Sequence, residues 1–211
     1  VTVNGRPALL GDRADLERDQ VEVDGVPLRR GREPTYLMLY KPRGYVTTLS
    51  DEKGRRTVAS LVSGCGRRVW PVGRLDLDSE GLLLMTDDGE LTHTLLHPSH
   101  RIEKEYLVWV TGDVDRALPV LSGPMELDGA LLAPAQVKRG PESGAVSRLS
   151  IVIHQGKNRQ VRRMCAQAGL KVTRLKRIRE GKLWLDRELK PGQWRPLTAE
   201  EVERLTGQHR I

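Results

Sequence analysis

The chain has 211 residues, of which 38% are hydrophobic, and it carries 35 Lys and Arg against 28 Asp and Glu. A chain of this length and composition buries a substantial core, which excludes disorder of the whole chain and indicates one domain, or one domain with a small appendage. No run of residues approaches the roughly 18 apolar residues of a membrane-spanning helix, and no signal peptide pattern opens the chain. We therefore expect a cytoplasmic protein with no membrane partner.

Cysteine usage supports the same compartment. The two cysteines, Cys65 and Cys165, stand 100 positions apart, which fits neither a disulfide framework nor a thiolate zinc site. This pattern is typical of a reducing environment. Val1, not Met, opens the chain inside an alternating, strand-like run, so we expect further residues to precede it.

The positive charge is concentrated between Ile151 and Lys182. That segment holds ten basic residues and one acid, Glu180, whereas the remaining residues hold 25 basic and 27 acidic ones, so the formal charge is +9 in the segment and −2 elsewhere. Such an excess repels itself unless it meets a polyanion or is spread over opposite faces. It indicates nucleic acid as the partner, with a solvated basic face as the alternative. The absence of Phe argues against a base-stacking platform for single strands.

In chain order, the first predicted elements are two short alternating runs. Val1–Gly5 and Val21–Leu28 each reach an Asn-Gly or Asp-Gly turn pair and predict a small β unit. The charged and Gly-rich residues 29–33 predict a linker, and Pro34 marks a domain boundary near residue 34. Beyond it, strand and helix patterns mix without the regular alternation of a doubly wound sheet. This predicts an α+β fold with a mixed, mostly antiparallel sheet flanked by helices.

The elements predicted beyond the boundary are strands over residues 36–40, 82–86, 102–110, 146–154 and 171–180, and helices over 90–96, from 158 and from 198. In the strand over 146–154, alternation places Ser147, Leu149, Ile151 and Ile153 on the side that faces a core. Asn158 is the predicted cap of a helix that buries Val161, Met164, Cys165 and Ala168. Thr198 and Glu201 form a predicted capping box.

A glycine-bracketed loop is the first candidate for chemistry. Gly73 to Gly81 gathers three carboxylates and an arginine immediately ahead of an apolar strand, an arrangement that suits a reactive carboxylate. An acidic surface turn is the alternative interpretation. The pattern Asp76-Leu77-Asp78 is also compatible with a divalent cation that binds phosphate, although it is too short to be specific.

Two other candidates are weaker. His93 and His97 have helical spacing, but Pro98 ends the helix before His100 and no acid or cysteine completes a zinc site, so we expect no metal. Gly156-Lys157-Asn158 resembles the end of a phosphate-binding loop, but the earlier glycine and the final Ser or Thr are missing, which excludes a nucleoside triphosphatase.

Four sequence blocks follow one another along the chain: Lys41 to Thr48, Gly73 to Asp76 with Ser79 to Leu83, Lys104 to Tyr106, and Gly156 to Met164. Together they resemble the RsuA/RluB family of ribosomal RNA pseudouridine synthases, and the resemblance spans residues 36 to about 205. The resemblance implies the pseudouridine synthase fold over residues 34–211, preceded in residues 1–33 by the end of a small S4-like RNA-binding domain. It also implies an RluB-like enzyme that acts on large-subunit ribosomal RNA, with that RNA or an immature ribosomal particle as partner.

The implied reaction breaks the bond from ribose C1′ to uracil N1, turns the base, and rejoins it through C5. No redox change or added group is involved, so no cofactor is expected. By resemblance Asp76 supplies the carboxylate, which attacks the base or C1′ or deprotonates C2′; the sequence leaves these routes open. The uridine must be flipped out of its stack at a cost of a few kcal/mol. Arg74 would fill the vacated space and contact phosphate.

The resemblance assigns three further roles around Asp76. Tyr106 would pack its ring against the flipped base, and its hydroxyl would assist proton transfer at C5, although a core aromatic is the alternative. Arg162 would pair with Asp76 and keep it ionised, or else be one more phosphate contact. Leu183 would form the apolar floor under the uracil, with Trp184 and Leu185 as alternative positions.

The remaining basic residues of the segment are predicted to bind phosphates without reading sequence: Lys157, Arg159, Arg163, Arg174, Lys176 and Arg177. Asn158 and Gln160 belong to the same substrate-binding block. The alternatives are a noncatalytic RNA-binding or assembly protein of the same ancestry and a metal-dependent phosphoryl enzyme that uses Asp76 and Asp78. A binding module has no need for an aspartate that repels phosphate, which favours the enzyme. We expect a monomer, because no apolar surface stripe is visible.

Overall fold

The structure, a computed structural model, describes residues 1–15, 18–28 and 33–206. The chain divides into two compact units, Val1–Pro34 and Thr35–Ile211. Among the described residues, none of the helices has the length and apolar character needed to cross a bilayer.

The smaller unit is a four-stranded sheet with the strand order β2-β1-β3-β4. Its strands are β1 (Thr2–Val3), β2 (Arg6–Pro7), β3 (Val21–Val23) and β4 (Val26–Pro27). The two alternating runs of the sequence therefore form two hairpins, as predicted. Asn4-Gly5 and Asp24-Gly25 make the turns with positive φ, which these residue types tolerate best. Residues 29–32 of the predicted linker, which spans 29–33, lie outside the described residues.

The larger unit contains eleven strands and five α-helices within the described residues. The strands are β5 (Tyr36–Lys41), β6 (Trp70–Pro71), β7 (Glu80–Thr86), β8 (Lys104–Thr111), β9 (Glu126–Leu127), β10 (Ala130–Leu131), β11 (Gln136–Ser143), β12 (Val146–Ile153), β13 (Lys171–Glu180), β14 (Leu183–Trp184) and β15 (Trp194–Pro196). The helices are α1 (Val58–Leu61), α2 (Gly89–Leu96), α3 (Val114–Ser122), α4 (Gln160–Gln167) and α5 (Ala199–Thr206).

One large sheet organises this unit, with the order β11-β12-β8-β13-β7-β5-β15. Strands β13 and β7 pair in parallel, and the other neighbours along this order are antiparallel. Strand β14 pairs with β13, and β6 pairs with β7. The α+β class and the mixed, mostly antiparallel sheet are thus confirmed. The strands predicted over residues 36–40, 82–86, 102–110, 146–154 and 171–180 correspond to β5, β7, β8, β12 and β13.

Each face of the sheet carries its own core. On the first face, helices α1, α3 and α4 cover the inward side chains of the central strands, among them Val108, Leu149 and Ile151, all fully buried. On the second face, α2 and α5 cover the inward side chains of β5 and β7. The second core does not extend over β8, β11 and β12. Burying a side chain such as Leu stabilises the fold by roughly 1.5–3 kcal/mol, so these two layers fix the sheet.

Two helix starts test the capping predictions. The capping box is confirmed: the Glu201 amide donates to Thr198 Oγ1 at 3.2 Å, and the Thr198 amide donates to the Glu201 carboxylate at 2.9 Å. Asn158 does not cap α4. The N-cap is Arg159, in the left-handed region with φ of 49° and without a side-chain cap. Val161, Met164 and Cys165 are nevertheless buried, as the helical spacing predicts, whereas Ala168 is only half-buried.

Candidate active site

Hydrogen bonds to its backbone hold the turn that carries Asp76. Thr47 Oγ1 donates to the Leu75 carbonyl oxygen at 2.7 Å and accepts from the Leu75 amide at 3.2 Å. The Ser79 amide donates to the Asp76 carbonyl oxygen at 3.0 Å and closes the turn. Gly73 opens the loop with φ of 72°, a conformation that favours glycine. These contacts fix the backbone of the turn, and the Asp76 side chain stays 30% exposed.

Lys41 anchors the same turn from inside the protein. It ends strand β5 and is inaccessible to solvent. Its ammonium donates to the carbonyl oxygens of Asp76 at 2.9 Å and Ser79 at 2.8 Å, and to that of Pro42 at 3.1 Å. Burial lowers the pKa of Lys41 to about 8, and the nearby Asp76 and Asp78 carboxylates oppose that fall. The lysine thus holds the reactive turn without contacting the cavity.

A cavity of about 1350 Å³ opens over Asp76. Its volume exceeds the roughly 300–1,000 Å³ of typical small-molecule sites, so it accommodates a nucleotide together with its neighbours. Strands β8, β12 and β13 form one wall through Tyr106, Ile153 and Leu175. The rims come from the segments 95–98, 131–134 and 155–160.

Tyr106 lies in the sheet wall of this cavity and is 8% exposed. It stands directly opposite Arg177 in the antiparallel pairing of β8 with β13. Burial raises the pKa of the Tyr106 hydroxyl, and the Arg177 charge partly offsets that rise. The hydroxyl therefore stays protonated at neutral pH.

Arg177 lies in the cavity wall and not on the basic surface where the sequence predicts a phosphate contact. It is 1% exposed and lines the cavity beside Tyr106. Its Nε donates to the Leu82 carbonyl oxygen at 2.8 Å, and its Nη2 lies 3.4 Å from the Glu180 carboxylate. A strand exposes alternate residues to opposite sides, and Arg177 falls on the apolar side with Leu175. This alternation of side chains along the strand is the sequence feature that indicates the buried position of Arg177.

Arg162 reaches the neighbouring aspartate and not Asp76. Its Nε lies 3.3 Å from the Asp78 carboxylate, and its Nη2 donates to the Asp78 carbonyl oxygen at 2.8 Å. Arg159 is the cation beside Asp76, at 3.6 Å, while it makes two hydrogen bonds with the Asp78 carboxylate at 2.9 and 2.8 Å. These bonds lower the pKa of Asp78. The predicted Arg162–Asp76 pair is therefore replaced by a cluster in which Asp78 takes both arginines.

Leu183 is also placed differently from the prediction. It is buried in the second core with Tyr40 and Leu82, because β14 pairs with β13 outside the cavity. It is absent from the cavity lining, so it does not form an apolar floor there. Leu185 belongs to the same core, and Trp184 is 53% exposed. The apolar surface of the cavity comes instead from Leu75, Leu132, Ile153, Val161 and Leu175.

Arg74 and the loop before α4 border the cavity as predicted. Arg74 is exposed, and its guanidinium forms no ion pair within the part of the chain that the structure describes. Lys157 donates through Nζ to the Leu127 carbonyl oxygen at 3.2 Å, and Asn158 is exposed. Gln160 is buried and its Oε1 accepts from the Lys157 amide at 3.1 Å. This loop offers polar groups to a phosphate chain at the cavity rim.

Three predicted phosphate ligands lie away from the cavity. Arg163 pairs with Asp128 at 2.6 Å on the outer side of α4. Arg174 and Lys176 alternate with Leu175 and Arg177 along β13, so they emerge on the opposite face of the sheet. They belong to a surface separate from the Asp76 cavity.

The carboxylates and histidines do not form a metal centre. Within residues 1–15, 18–28 and 33–206, no three His, Cys, Asp or Glu side chains are grouped as metal ligands. The His93 and His97 rings are 5.2 Å apart between centroids, and His100 Nδ1 contacts the Thr94 carbonyl oxygen. Asp78, half of the proposed cation pattern, is engaged by Arg159. The arrangement favours carboxylate chemistry at Asp76.

Comparisons with known proteins agree with this geometry. The family model of RNA pseudouridylate synthases matches residues 35–167, more than half of the chain. Ribosomal large subunit pseudouridine synthase B of Bacillus subtilis is 41% identical over 190 residues, which cover 89% of this chain and 77% of that protein. The protein of the same name from Vibrio cholerae is 39% identical over 211 residues, 97% of this chain and 66% of that protein.

A solved structure extends the match to three dimensions. A crystal structure of a pseudouridylate synthase aligns with a TM-score of 0.70 and 30% identity, covering 97% of this chain and 87% of that chain. The resemblance drawn from the four sequence blocks is thereby confirmed, and the fold is that of the pseudouridine synthases, enzymes that isomerise uridine in RNA. The chain belongs to the RNA pseudouridylate synthase family.

Proposed function

We propose that this enzyme converts a specific uridine of large-subunit ribosomal RNA to pseudouridine, with Asp76 as its catalytic carboxylate. The observation that carries the proposal is the placement of Asp76, a partly exposed carboxylate on a rigid turn at a cavity of nucleotide size. The relatives named ribosomal large subunit pseudouridine synthase B support the choice of RNA.

The cavity residues suggest how the substrate is held. Arg74 at the mouth takes the place of the flipped uridine and contacts phosphate, while the loop 157–160 follows the backbone of the RNA. The ring of Tyr106 packs against the extruded base, and its hydroxyl assists proton transfer at C5. Arg177, beside Tyr106 in the cavity wall, supplies a fixed positive charge in a site shielded from water. The reaction needs no cofactor, because no group is added and no electrons are transferred.

We further infer that the enzyme acts as a monomer in the cytoplasm, where ribosomal RNA is assembled into ribosomes. Both cysteines are free, and burial raises the pKa of the Cys165 thiol to about 12, which suits an inert core thiol in a reducing compartment.

Pseudouridine mapping tests the proposal directly. Total ribosomal RNA and immature ribosomal particles are incubated with the enzyme, with Asp76→Asn and with Glu52→Gln, a control that removes an exposed carboxylate outside the cavity. We expect one new site in large-subunit RNA from the unmodified enzyme and the control, and none from Asp76→Asn. A site made equally by Asp76→Asn would remove the aspartate from the mechanism. Retained RNA binding with no site on either substrate would favour a noncatalytic RNA-binding protein.

A further inference from the structure

The half of the sheet that the second core leaves uncovered is a basic surface. On this side, Trp109 stands between Arg148 of β12 and Arg174 of β13 in the strand register. One step along, Leu107 stands between Ser150 and Lys176. The same side of the sheet also carries Lys138 of β11 and Lys171 of β13. We call this surface the open face, defined by Leu107, Trp109, Lys138, Arg148, Lys171, Arg174 and Lys176.

The open face is separate from the catalytic cavity. Tyr106, Leu175 and Arg177 alternate with its residues and point to the other side of the same strands. No residue of the open face lines the cavity over Asp76. A phosphate bound here therefore belongs to a different part of the ligand from the reacting uridine.

Its cations are only partly neutralised. Glu80, which is 5% exposed, pairs with Arg174 and accepts from the Tyr40 hydroxyl at 3.2 Å. Glu105 is occupied by Arg179 at 3.0 Å. For Lys138, Arg148 and Lys171, no ion pair is formed within the described residues. Three cations on one sheet surface, each without an ion pair in the described part of the chain, attract a polyanion.

Planar and apolar groups accompany these charges. The Arg174 guanidinium lies 4.6 Å from the centre of the Trp109 ring, and Lys176 Nζ lies 4.6 Å from that of Tyr40. The side chain of Arg148 crosses Gly140, where an added Cβ would come within 3.3 Å of its Nε. Two of these cations therefore lie over aromatic rings and a third lies next to Gly140, an arrangement that suits contact with a phosphodiester backbone and the sugar edges of RNA.

We propose that the open face is a second RNA-binding surface, which grips the phosphate backbone of an RNA segment outside the catalytic cavity. The inference rests on the proposed function, and it adds an outer contact to it. Strand β11 is an edge of the sheet, so Lys138 lies where a long RNA passes from one side of the sheet to the other. The surface therefore makes the enzyme prefer long, folded RNA over an isolated stem-loop.

The first test measures affinity for deproteinised large-subunit ribosomal RNA over a range of salt concentrations. The variant combines Lys138→Gln, Arg148→Gln and Lys171→Gln. Its matched control removes the same charge at exposed positions outside the open face, with Arg116→Gln, Arg187→Gln and Lys190→Gln. We expect the slope of log K against log salt to fall by about 2–3 in the variant and by less than 1 in the control. Equal slopes in the two triple variants would overturn the proposal.

The second test measures whether bound RNA covers the open face. Lys138 and Lys171 are acetylated with and without the same RNA, and their labelling is compared by mass spectrometry with that of Lys190. We expect at least fivefold protection of the two open-face lysines only. Protection without any pseudouridine formation would support the open face while the proposed function fails. Pseudouridine formation with unprotected lysines would overturn the open face and leave the proposed function standing.

Discussion

Tyr106 and Arg177 stand directly opposite each other on antiparallel strands, and both side chains are buried in the cavity wall. Behind them, Glu180 is 2% exposed, with Arg177 at 3.4 Å and Lys104 at 3.8 Å. Neither oxygen of the Glu180 carboxylate has a hydrogen-bond partner within the described residues. Tyr106 thus shares the cavity wall with two cations, Lys104 and Arg177, which pair with one buried acid.

We expect Glu180→Gln to destabilise the protein and to slow the reaction. Removing one partner of a buried ion pair leaves uncompensated charge and costs about 3–5 kcal/mol of unfolding free energy. Urea unfolding measures that loss, and single-turnover kinetics with saturating RNA measure the accompanying fall in rate.

Glu103→Gln is the matched control, because Glu103 pairs with Arg179 at 2.9 Å and is 36% exposed. A pair with a solvent-accessible partner contributes about 0–1 kcal/mol, and Arg179 keeps Glu105 as a second partner. Equal losses of stability in the two variants would contradict a special role for Glu180.

Gly81→Ala should prevent the parallel pairing of β7 with β13. Gly81 has φ of 112°, and an added Cβ would lie 2.2 Å from the Arg177 carbonyl oxygen, which belongs to rigid backbone. We expect a loss of more than about 3 kcal/mol or insoluble protein, measured by urea unfolding.

Gly89→Ala provides the comparison. Gly89 begins α2, and a Cβ there meets no atom within 4 Å. Because alanine favours the helix, its stability should be unchanged or higher by up to about 1 kcal/mol. If both glycine variants unfolded alike, close packing at Gly81 would not be the cause.

The positions of Arg174, Lys176 and Arg177 show what sequence reasoning captured and what it missed. The sequence predicts the strand Lys171–Glu180 with its observed bounds, and successive side chains of a strand alternate between the two faces of its sheet. The same alternation, applied to the charges, separates Arg177 from the other two. The charge composition of the segment from Ile151 to Lys182 does not by itself distinguish Arg177 from Arg174 and Lys176.

Other features depend on tertiary contacts that the sequence does not encode locally. Arg162 reaches Asp78 and not Asp76, and this depends on how α4 lies against the turn that carries both aspartates. Leu183 is recognisably a buried residue, but only the pairing of β14 with β13 decides which side of the sheet it enters. The family blocks nevertheless located the Asp76 turn and Tyr106 at one cavity.

Lys41 should give the protein a specific pH dependence of stability. Its pKa is about 8 in the folded protein against an ordinary value of 10.5. Between these values the unfolded chain keeps a proton that the folded protein releases, so this group makes stability rise with pH by up to about 1.4 kcal/mol per pH unit. Below pH 8 both states are protonated and the dependence vanishes.

Urea unfolding of the enzyme and of Lys41→Met from pH 7 to 10 measures this effect. We expect the stability difference, enzyme minus variant, to increase above pH 8. Lys53→Met, at an exposed lysine, should follow the unmodified enzyme. Parallel curves for the enzyme and Lys41→Met would show that Lys41 does not titrate in this range.

Arg162 and Arg163 are adjacent on α4, but substitutions at the two positions should affect different properties of the enzyme. Arg162 is 11% exposed and holds the Asp78 carbonyl oxygen in the turn that carries Asp76, so it is a positioning residue. Arg163 is 36% exposed, and RNA has to displace only the surface carboxylate of Asp128 to reach it. We expect Arg162→Gln to lower the single-turnover rate with an unchanged salt slope of RNA binding. Arg163→Gln should flatten that slope by about 0.7–0.9 and leave the saturated rate within about twofold.

The comparison separates a contact that shapes the turn from one that binds phosphate, because the two guanidinium groups carry equal charge on the same helix. Rate and salt slope are measured on the same RNA preparation. A flattened slope in Arg162→Gln would place that guanidinium on the RNA. It would also mean that the Asp78 cluster opens when RNA binds, since Arg162 cannot hold the turn and a phosphate with the same nitrogen atoms.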